Sequence, residues 1–354
     1  MSMKILVLPG DGIGPEITAA TLQVLEHLNT SLRLDLEFEQ HAIGMASLAS
    51  HGTTLRSETM QAARAAAGVI LAPVDSYQYP PKERGGINPS AEVRRQLDLY
   101  ANIRPARVFQ GVPALGRDMD LVIVRENTEG FYADRSMHLG IGEFMPTPDL
   151  ALSVRKITRQ GSERIARRAF ELAMRRRKHV TMVHKANVLR ITDGLFIEAV
   201  RSVAADYPQV TLDERLIDAM TALLIRSPGD FDVVVTSNMY GDILSDEATE
   251  LAGGIGLGGA INAGDDHAIA QATHGSAPDI AGQGKANPTA LLLSSAMLLG
   301  WLGGRHGRAA LEQASERLEN AIAQVLADPA KHTPDLGGGN STEGFGEAVV
   351  AALG

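Results

Sequence analysis

Short apolar runs alternate with longer amphipathic stretches along this chain, and no other feature of the sequence limits the fold as strongly. Compact apolar runs are typical of buried strands, and apolar residues spaced three and four apart predict helices. Their alternation predicts an α/β fold built in layers. The candidate buried strands are residues 4–8, 69–72, 121–124, 180–183 and 232–236.

Several other segments show a clear period. Leu34, Leu36 and Phe38 alternate with acidic residues, which predicts a half-buried strand. Helical spacing is found in residues 18–27, 162–177 and 311–325. The cations at positions 175–178 indicate either a solvated helix end that complements the helix dipole or a small nucleic-acid patch. Residues 290–304 are apolar but short for a membrane span and broken by serines and glycines, so we expect a buried helix.

Length and composition narrow the classes of function. A chain of 354 residues suggests about two domains. The absence of cysteine excludes a thiol nucleophile, an iron–sulfur cluster, a cysteine zinc site and disulfides, and it fits a reducing compartment. A net charge of −9 and only 4% aromatic residues disfavour nucleic-acid partners. The first apolar run is too short for a signal peptide, so we expect a cytoplasmic protein without a membrane partner.

A glycine-rich segment, LPGDGIGPE at residues 8–16, lies between the first predicted strand and the first predicted helix. Its spacing is G-x-G-x-G rather than the G-x-G-x-x-G of dinucleotide folds, and no convincing acidic partner follows. A tight turn is the alternative interpretation. The segment also lacks the Gly-Lys-Ser/Thr of a P-loop.

Two aspartates lie one helical turn apart after the predicted strand at residues 232–236. If a helix begins near Gly241, Asp242 and Asp246 share one face. Two such carboxylates repel each other unless a cation lies between them, and oxygen ligands without sulfur favour Mg²⁺ or Mn²⁺ over zinc. An exposed acidic helix start, which the helix dipole favours, is the alternative.

Four arginines are candidates for carboxylate binding: Arg94, Arg95, Arg104 and Arg125. Arg104 stands at a predicted element end, and Arg125 follows the predicted strand at residues 121–124. Guanidinium groups bind carboxylates through paired hydrogen bonds, so several in one cleft would suit a di- or tricarboxylate. Surface salt bridges are the alternative for any one of them. Lys185 follows the strand at residues 180–183, where partial desolvation would make it a usable base, although an exposed charged lysine is the commoner case.

Five segments occur in order along the chain: LPGDGIGPE, VRENTEG at 124–130, HKANVL at 184–189, residues 238–257, and HGSAPDIAG at 274–282. Together they resemble the β-decarboxylating dehydrogenase family, which includes isocitrate, homoisocitrate, 3-isopropylmalate and tartrate/D-malate dehydrogenases. The resemblance runs from Leu8 to about Gly344.

The resemblance implies a two-domain α/β fold with a cleft between the domains, and not a Rossmann fold. It implies a larger, cofactor-binding domain of residues 1–100 and 257–354, and a smaller domain of residues 101–256 with the metal and substrate residues and the dimer interface. Family members are usually dimers or larger. We therefore expect a homodimer or dimer-based oligomer in which Lys185 and Asp218 complete the neighbour's site.

The resemblance also implies a role for each matching residue. Tyr132 matches the acid that protonates the enol carbon, and Lys185 matches the group that accepts or relays the hydroxyl proton. The implied metal ligands are Asp218, Asp242 and Asp246. The implied substrate-binding residues are Arg94, Arg104, Arg125, Ser90 and Asn88. The implied cofactor-binding residues are His274, Gly275, Ser276, Ala277, Pro278, Asp279, Ile280, Asn287 and Asn187.

The implied reaction is oxidative decarboxylation of a malate-type 2-hydroxy acid with a nicotinamide cofactor and Mg²⁺ or Mn²⁺. Asp279 favours NAD over NADP, because its carboxylate can bind ribose hydroxyls and would repel a 2′-phosphate. The segments at 125–130 and 184–196 resemble the isocitrate and homoisocitrate versions, so we expect one of these substrates. The alternatives are 3-isopropylmalate and tartrate or D-malate.

Some residues depart from the family pattern. Gln271 stands where the family often has Glu, and Asn88 and Ser90 stand where isocitrate enzymes commonly have Ser and Asn. These departures lie near the nicotinamide or the variable arm of the substrate, so they bear on substrate identity and leave the chemistry intact. A non-catalytic regulatory subunit and a carboxylate-binding receptor are competing classes. Retention of Tyr132 and Lys185, with the three aspartates, argues against the first, and the lack of an export signal argues against the second.

Overall fold

The computed structural model describes residues 2–132, 137 and 142–354. The strands are β1 Met3–Leu8, β2 Leu36–Gln40, β3 Gly68–Leu71, β4 Ala101–Arg107, β5 Asp120–Glu126, β6 Glu143–Thr147, β7 Leu150–Ser153, β8 His179–His184, β9 Thr211–Leu216, β10 Val233–Thr236, β11 Ile261–Ala263 and β12 Ala268–Ala270. The helices are α1 Gly14–Leu32, α2 Gly44–His51, α3 Ser57–Ala65, α4 Pro89–Gln96, α5 Arg159–Met174, α6 Thr192–Ala204, α7 Ile217–Arg226, α8 Asn238–Leu251, α9 Thr289–His306, α10 Ala309–Leu326 and α11 Thr342–Leu353.

Within these described ranges, ten strands form one mixed sheet in the order β2-β1-β3-β12-β11-β4-β5-β10-β8-β9. The outer strands are parallel to their neighbours, whereas the central strands β12, β11, β4 and β5 pair antiparallel. Strands β6 and β7 form a separate antiparallel pair. The carboxyl ends of β5, β10 and β8 therefore meet at one edge of the sheet.

Helices cover both faces of the sheet, which explains why its strands are almost continuously apolar. On β1, Ile5 and Val7 pack in one apolar cluster and Leu6 and Leu8 in another. The same alternation on β5 sends Val124 toward α5 and α6 and Ile123 toward α7 and α8. The predicted α/β layering is confirmed.

The structure differs from the predicted segments at two points. The strand predicted from Leu34 begins only at Leu36, because Asp35 takes a left-handed backbone conformation with φ +53°. Helix α5 ends at Met174, before the cations at 175–178. Arg176 there contacts the carboxylates of Asp120 and Asp232 at 2.9 and 2.7 Å, so its charge is part of the fold.

Residues 290–304 lie within α9, whose apolar side chains are largely buried under the sheet, as predicted. Throughout the part of the chain that the structure describes, none of the helices combines the length and apolar character that crossing a membrane requires.

Candidate active site

Two buried arginines converge on the acidic face of α8. Arg104 lies on β4, and its Nη1 is 3.2 Å from Asp242 Oδ1 and 3.3 Å from Asp246 Oδ1. Arg125 is the penultimate residue of β5, and it donates to Asp242 and, at 2.7 Å, to Asn238 Oδ1. The predicted helix therefore places both aspartates on one face, as the spacing indicated. Burial lowers the pKa of Arg104 to about 10, and the nearby Arg125 charge acts in the same direction.

The two aspartates suit a hard divalent cation. Their side chains remain 38% and 51% exposed, so both are accessible to solvent. Burial raises the pKa of Asp246, and the negative charge of Asp242 adds to that effect. Across residues 2–132, 137 and 142–354, no three His or acidic side chains cluster closely enough to hold a metal within one chain. Asp242 and Asp246 could supply two carboxylate ligands to such a cation, and its other ligands would come from outside this pair.

The third predicted ligand, Asp218, lies at the start of α7 and pairs instead with Lys185. Lys185 Nζ is 2.5 Å from Asp218 Oδ1, and this hydrogen bond lowers the pKa of Asp218. The backbone N–H of Lys185 donates to Asp193 Oδ2 at 2.6 Å. One chain therefore holds two separate clusters, the arginine–aspartate cluster on β4, β5 and α8 and the lysine–aspartate pair on β8 and α7; each is a candidate half-site.

Arg94 and its neighbours on α4 contact other protein groups. Asn88 caps α4 by accepting from Ala91 N at 3.1 Å. Ser90 exchanges hydrogen bonds with Gln271, and Gln271 Oε1 also accepts from Arg94 Nη2 at 2.7 Å. The departure from the family pattern at Gln271 thus lies directly beside a predicted substrate arginine.

Tyr132 belongs to the same region as the arginines. The Arg125 guanidinium carbon lies 5.9 Å from the centroid of the Tyr132 ring. The backbone before Tyr132 is held by Gly130, which has φ +79° and exchanges two hydrogen bonds with Lys156. The structure therefore brings the predicted proton donor close to a predicted substrate arginine.

The predicted cofactor loop packs against the glycine-rich turn after β1. Ile13 N donates to Ser276 O at 2.8 Å, and a Cβ at Gly12 would lie 1.9 Å from that same oxygen. The segment is thus a tight turn, with glycine required by close approach. Asn287 Oδ1 accepts from the backbone N–H of Thr289, the first residue of α9, and Asn187 is exposed beyond β8.

This loop offers features suited to a nucleotide. His274 Nδ1 lies 3.0 Å from Gly275 O, while its Nε2 is buried without a hydrogen-bond partner among the described residues. Burial lowers the pKa of His274, which keeps the imidazole neutral and leaves Nε2 as an acceptor. The space beside Gly275 is open, and Pro278 and Asp279 are exposed. A buried acceptor without a partner, in a loop with exposed residues, fits a ligand that donates hydrogen bonds.

The sequence interpretation missed several polar residues that connect these groups. Asn238, the first residue of α8, accepts from Arg125, and Ser245 accepts from Arg104 at 2.7 Å. Asn102 is the second residue of β4 and Asn262 the middle residue of β11, and both are buried between apolar neighbours. A polar amide between apolar strand neighbours was the available signal, since such a group is buried only with partners.

Comparisons with known proteins relate the whole chain to one family. A family model described as isocitrate/isopropylmalate dehydrogenase matches residues 4–349. A 3-isopropylmalate dehydrogenase of Archaeoglobus fulgidus is 40% identical over 351 residues, covering 99% of each chain. An isocitrate/homoisocitrate dehydrogenase of Thermus thermophilus is 41% identical over 354 residues, covering 100% of this chain and 99% of the relative. The crystal structure of an isocitrate dehydrogenase from Methylococcus capsulatus matches with a TM-score of 0.88 at 40% identity, covering 99% of each chain.

Proposed function

The chain belongs to the isocitrate/isopropylmalate dehydrogenase family of oxidoreductases, and we propose that it catalyses the NAD- and divalent-metal-dependent oxidative decarboxylation of isocitrate or homoisocitrate. The observation that carries this proposal is the convergence of Arg104 and Arg125 on Asp242. Buried guanidinium groups beside partly exposed carboxylates provide, in one place, sites for substrate carboxylates and for a cation.

Each proposed role follows from the chemistry of the side chain. Arg94, Arg104 and Arg125 bind and orient the substrate's carboxylates through charge-assisted hydrogen bonds. Lys185 Nζ accepts or relays the proton of the substrate hydroxyl, and Tyr132 Oη delivers a proton to carbon after carbon dioxide leaves. A bound nicotinamide would supply the hydride acceptor for this reaction, and a bound divalent cation would supply Lewis-acid stabilisation of the substrate oxygen.

The proposed ligand residues extend the two half-sites. Asp242, Asp246 and Asp218 would hold Mg²⁺ or Mn²⁺, the last from a second copy of the chain. His274 and the loop that follows it would hold the adenosine of NAD, with Asn287, and Asn187 would lie on the nicotinamide side. The exposed carboxylate of Asp279 supports NAD over NADP, because it would repel a 2′-phosphate.

The strand order supports the proposed two-domain division. Strands β2, β1, β3, β12 and β11 come from residues 1–100 and 257–354, and the other five strands of the large sheet come from residues 101–256. The two groups meet at the β11–β4 pairing. We place the active cleft between these domains.

Exposed apolar side chains support a homodimer with shared sites. Ile225 on α7 and Ile243 on α8 are exposed, as are Val188 and Ile191 in the turn after Lys185. Exposed aliphatic side chains near a half-site are typical of a surface that a second subunit covers. A dimer would bring Lys185 of one chain to the acidic helix of the other.

A cytoplasmic location is part of the same proposal.

Mixed dimers test the sharing of sites. Lys185→Ala and Asp242→Asn are each expected to be inactive alone. Co-expression should restore about a quarter of the wild-type activity, because half of the dimers are mixed and each carries one intact composite site. No recovery, despite mixed dimers confirmed by mass spectrometry, would show that each chain works with its own lysine.

The substrate is tested by kcat/KM of the purified chain for isocitrate, homoisocitrate, 3-isopropylmalate, D-malate and tartrate with NAD and Mn²⁺. A site that hydrogen-bonds a carboxylate on the substrate arm discriminates against an apolar arm, because its polar groups stay unpaired. We expect isocitrate or homoisocitrate to be preferred, with Asp242→Asn as the inactive control.

The second candidate is 3-isopropylmalate, because a relative of that name is as similar to this chain as the isocitrate/homoisocitrate relative. A clear preference for 3-isopropylmalate overturns the proposed substrate, as would a preference for D-malate or tartrate. No turnover of any of the five acids by the purified chain supports a non-catalytic subunit instead.

A further inference from the structure

Two buried amides face each other where the two halves of the sheet join. The β11–β4 pairing consists of three residue pairs, and Asn262 lies opposite Asn102 in the middle pair. Alanine or isoleucine occupies the positions on either side of each asparagine. Both asparagines are at most 1% exposed. Apolar residues would fill such a place without polar groups to satisfy, so the amides call for a specific explanation.

The two amides belong to a larger set, Asn102, Asn127, Asn262 and Gln271, which we call the amide network. Asn262 is at its centre because it bonds the other three. Its Oδ1 accepts from Asn102 Nδ2 and Asn127 Nδ2, each at 3.0 Å, and its Nδ2 donates to Gln271 Oε1 at 3.3 Å. All four residues are buried.

The outer members of the amide network contact two arginines. Asn102 Oδ1 accepts from the Nε of Arg104. Gln271 Oε1 accepts from Arg94 Nη2 at 2.7 Å, and Asn127 Oδ1 accepts from Arg94 Nη1 at 3.4 Å. The three acceptors that contact Arg94 and Arg104 here are neutral amide oxygens. The amide network therefore orients the guanidinium groups without adding a negative charge that would compete with a bound carboxylate.

We propose that Asn262 is a positioning residue that sets the separation and orientation of Arg94 and Arg104 for the carboxylates of the substrate. The inference rests on the proposed function, in which both arginines bind substrate. Arg94 lies on α4, in residues 1–100, and Arg104 lies on β4, in residues 101–256. Asn262 connects them through the amide network, at the β11–β4 pairing where the two groups of strands meet. Asn262 acts through its neighbours rather than by touching the substrate.

The test compares Asn262→Ala with Ile261→Ala, a neighbouring position on the same strand. Ile261 is equally buried, but its side chain packs in the apolar core instead of the amide network. Both variants should lower Tm. Only Asn262→Ala should raise KM for the acid substrate, by roughly tenfold, because the orphaned amides no longer fix the arginines. Its kcat should change by less than about threefold, and its KM for NAD by less than about twofold.

The outcome that overturns the inference is a KM for the acid in Asn262→Ala no higher than in Ile261→Ala. If Asn262→Ala does not fold, Asn102→Ala is measured in the same way and must show the same split between KM and kcat.

Failure of the proposed function can be told apart from failure of the positioning role, because in the first case the wild type itself turns over none of the acids. In that case crystal structures of wild type and Asn262→Ala decide the question. A shift of ~1 Å or more in the Arg94 or Arg104 guanidinium supports positioning, and unchanged guanidinium positions refute it.

Discussion

A buried ion pair behind Lys185 offers a quantitative test of how the structure is held together. Arg155 Nη1 lies 2.5 Å from Asp193 Oδ1, and the two side chains are 7% and 2% exposed. Asp193 Oδ2 accepts the backbone N–H of Lys185, so the pair also holds the backbone that presents this lysine. The Arg155 guanidinium also lies over the Tyr240 ring, 5.4 Å from its centroid.

The expected cost of Asp193→Asn follows from leaving Arg155 without its counter-ion. Breaking one side of a buried ion pair costs about 3–5 kcal/mol. The entropy of unfolding is about 2.1 cal/mol/K per residue near 60 °C, which for 354 residues is ~0.7 kcal/mol/K. A loss of about 4 kcal/mol therefore lowers Tm by roughly 5 °C.

Differential scanning calorimetry at fixed protein concentration measures this shift. The matched control is Glu198→Gln, on the same helix α6, which removes an exposed pair with Arg159 whose side chains are 51% and 69% exposed. Exposed pairs are worth at most about 1 kcal/mol, so the control should lower Tm by no more than roughly 1 °C. A Tm for Asp193→Asn within error of the control would refute the reasoning that burial makes this pair matter.

Four further predictions concern the site and its surroundings. Asp242→Asn, or exhaustive treatment with EDTA, should abolish turnover measured by NADH absorbance, and Mg²⁺ or Mn²⁺ should restore activity only to the EDTA-treated wild type. Tyr132→Phe should lower kcat by about 10²–10⁴-fold with KM nearly unchanged, as expected for a general acid. The kcat/KM with NAD should exceed that with NADP, and Asp279→Asn should narrow the difference. Burial raises the pKa of Glu126 above its usual 4.5, so above pH 4.5 the folded chain retains a proton that the unfolded chain loses. The Tm of wild type relative to Glu126→Gln should therefore fall as the pH rises above 4.5. A Tm difference that does not change with pH would contradict this prediction.

The layering and the local geometry of the acidic pair were predictable from the sequence. Apolar runs such as residues 121–124 and 232–236 are strands, because continuous burial on both faces leaves no room for polar alternation. The i, i+4 spacing of Asp242 and Asp246 places both carboxylates on one side of α8. Both features depend on short stretches of chain, where spacing alone determines geometry.

The arrangement of the central strands was not predictable in this way. Strands β11 and β12 have three residues each, too few for a period to be recognised. Their position between β3 and β4 depends on pairing with residues more than 150 positions earlier in the chain. The amide network was not predictable for the same reason, since Asn262 meets Asn102 only when that pairing forms. The segment VRENTEG was recognisable as a motif, but the reason for its residue order required the strand geometry.

Neighbouring side chains of a strand point to opposite faces, so the adjacent residues Arg125 and Glu126 contact different parts of the structure. Arg125 points toward α8 and bonds Asn238 and Asp242. Glu126 points toward the other face, where it accepts from Thr128 N and Glu129 N, each at 2.8 Å. One side chain thus builds the candidate site, while the other fixes the turn that leads to Tyr132. Because a shift of one residue along β5 would exchange these faces, the strand register itself sets the position of the proposed proton donor relative to the arginines.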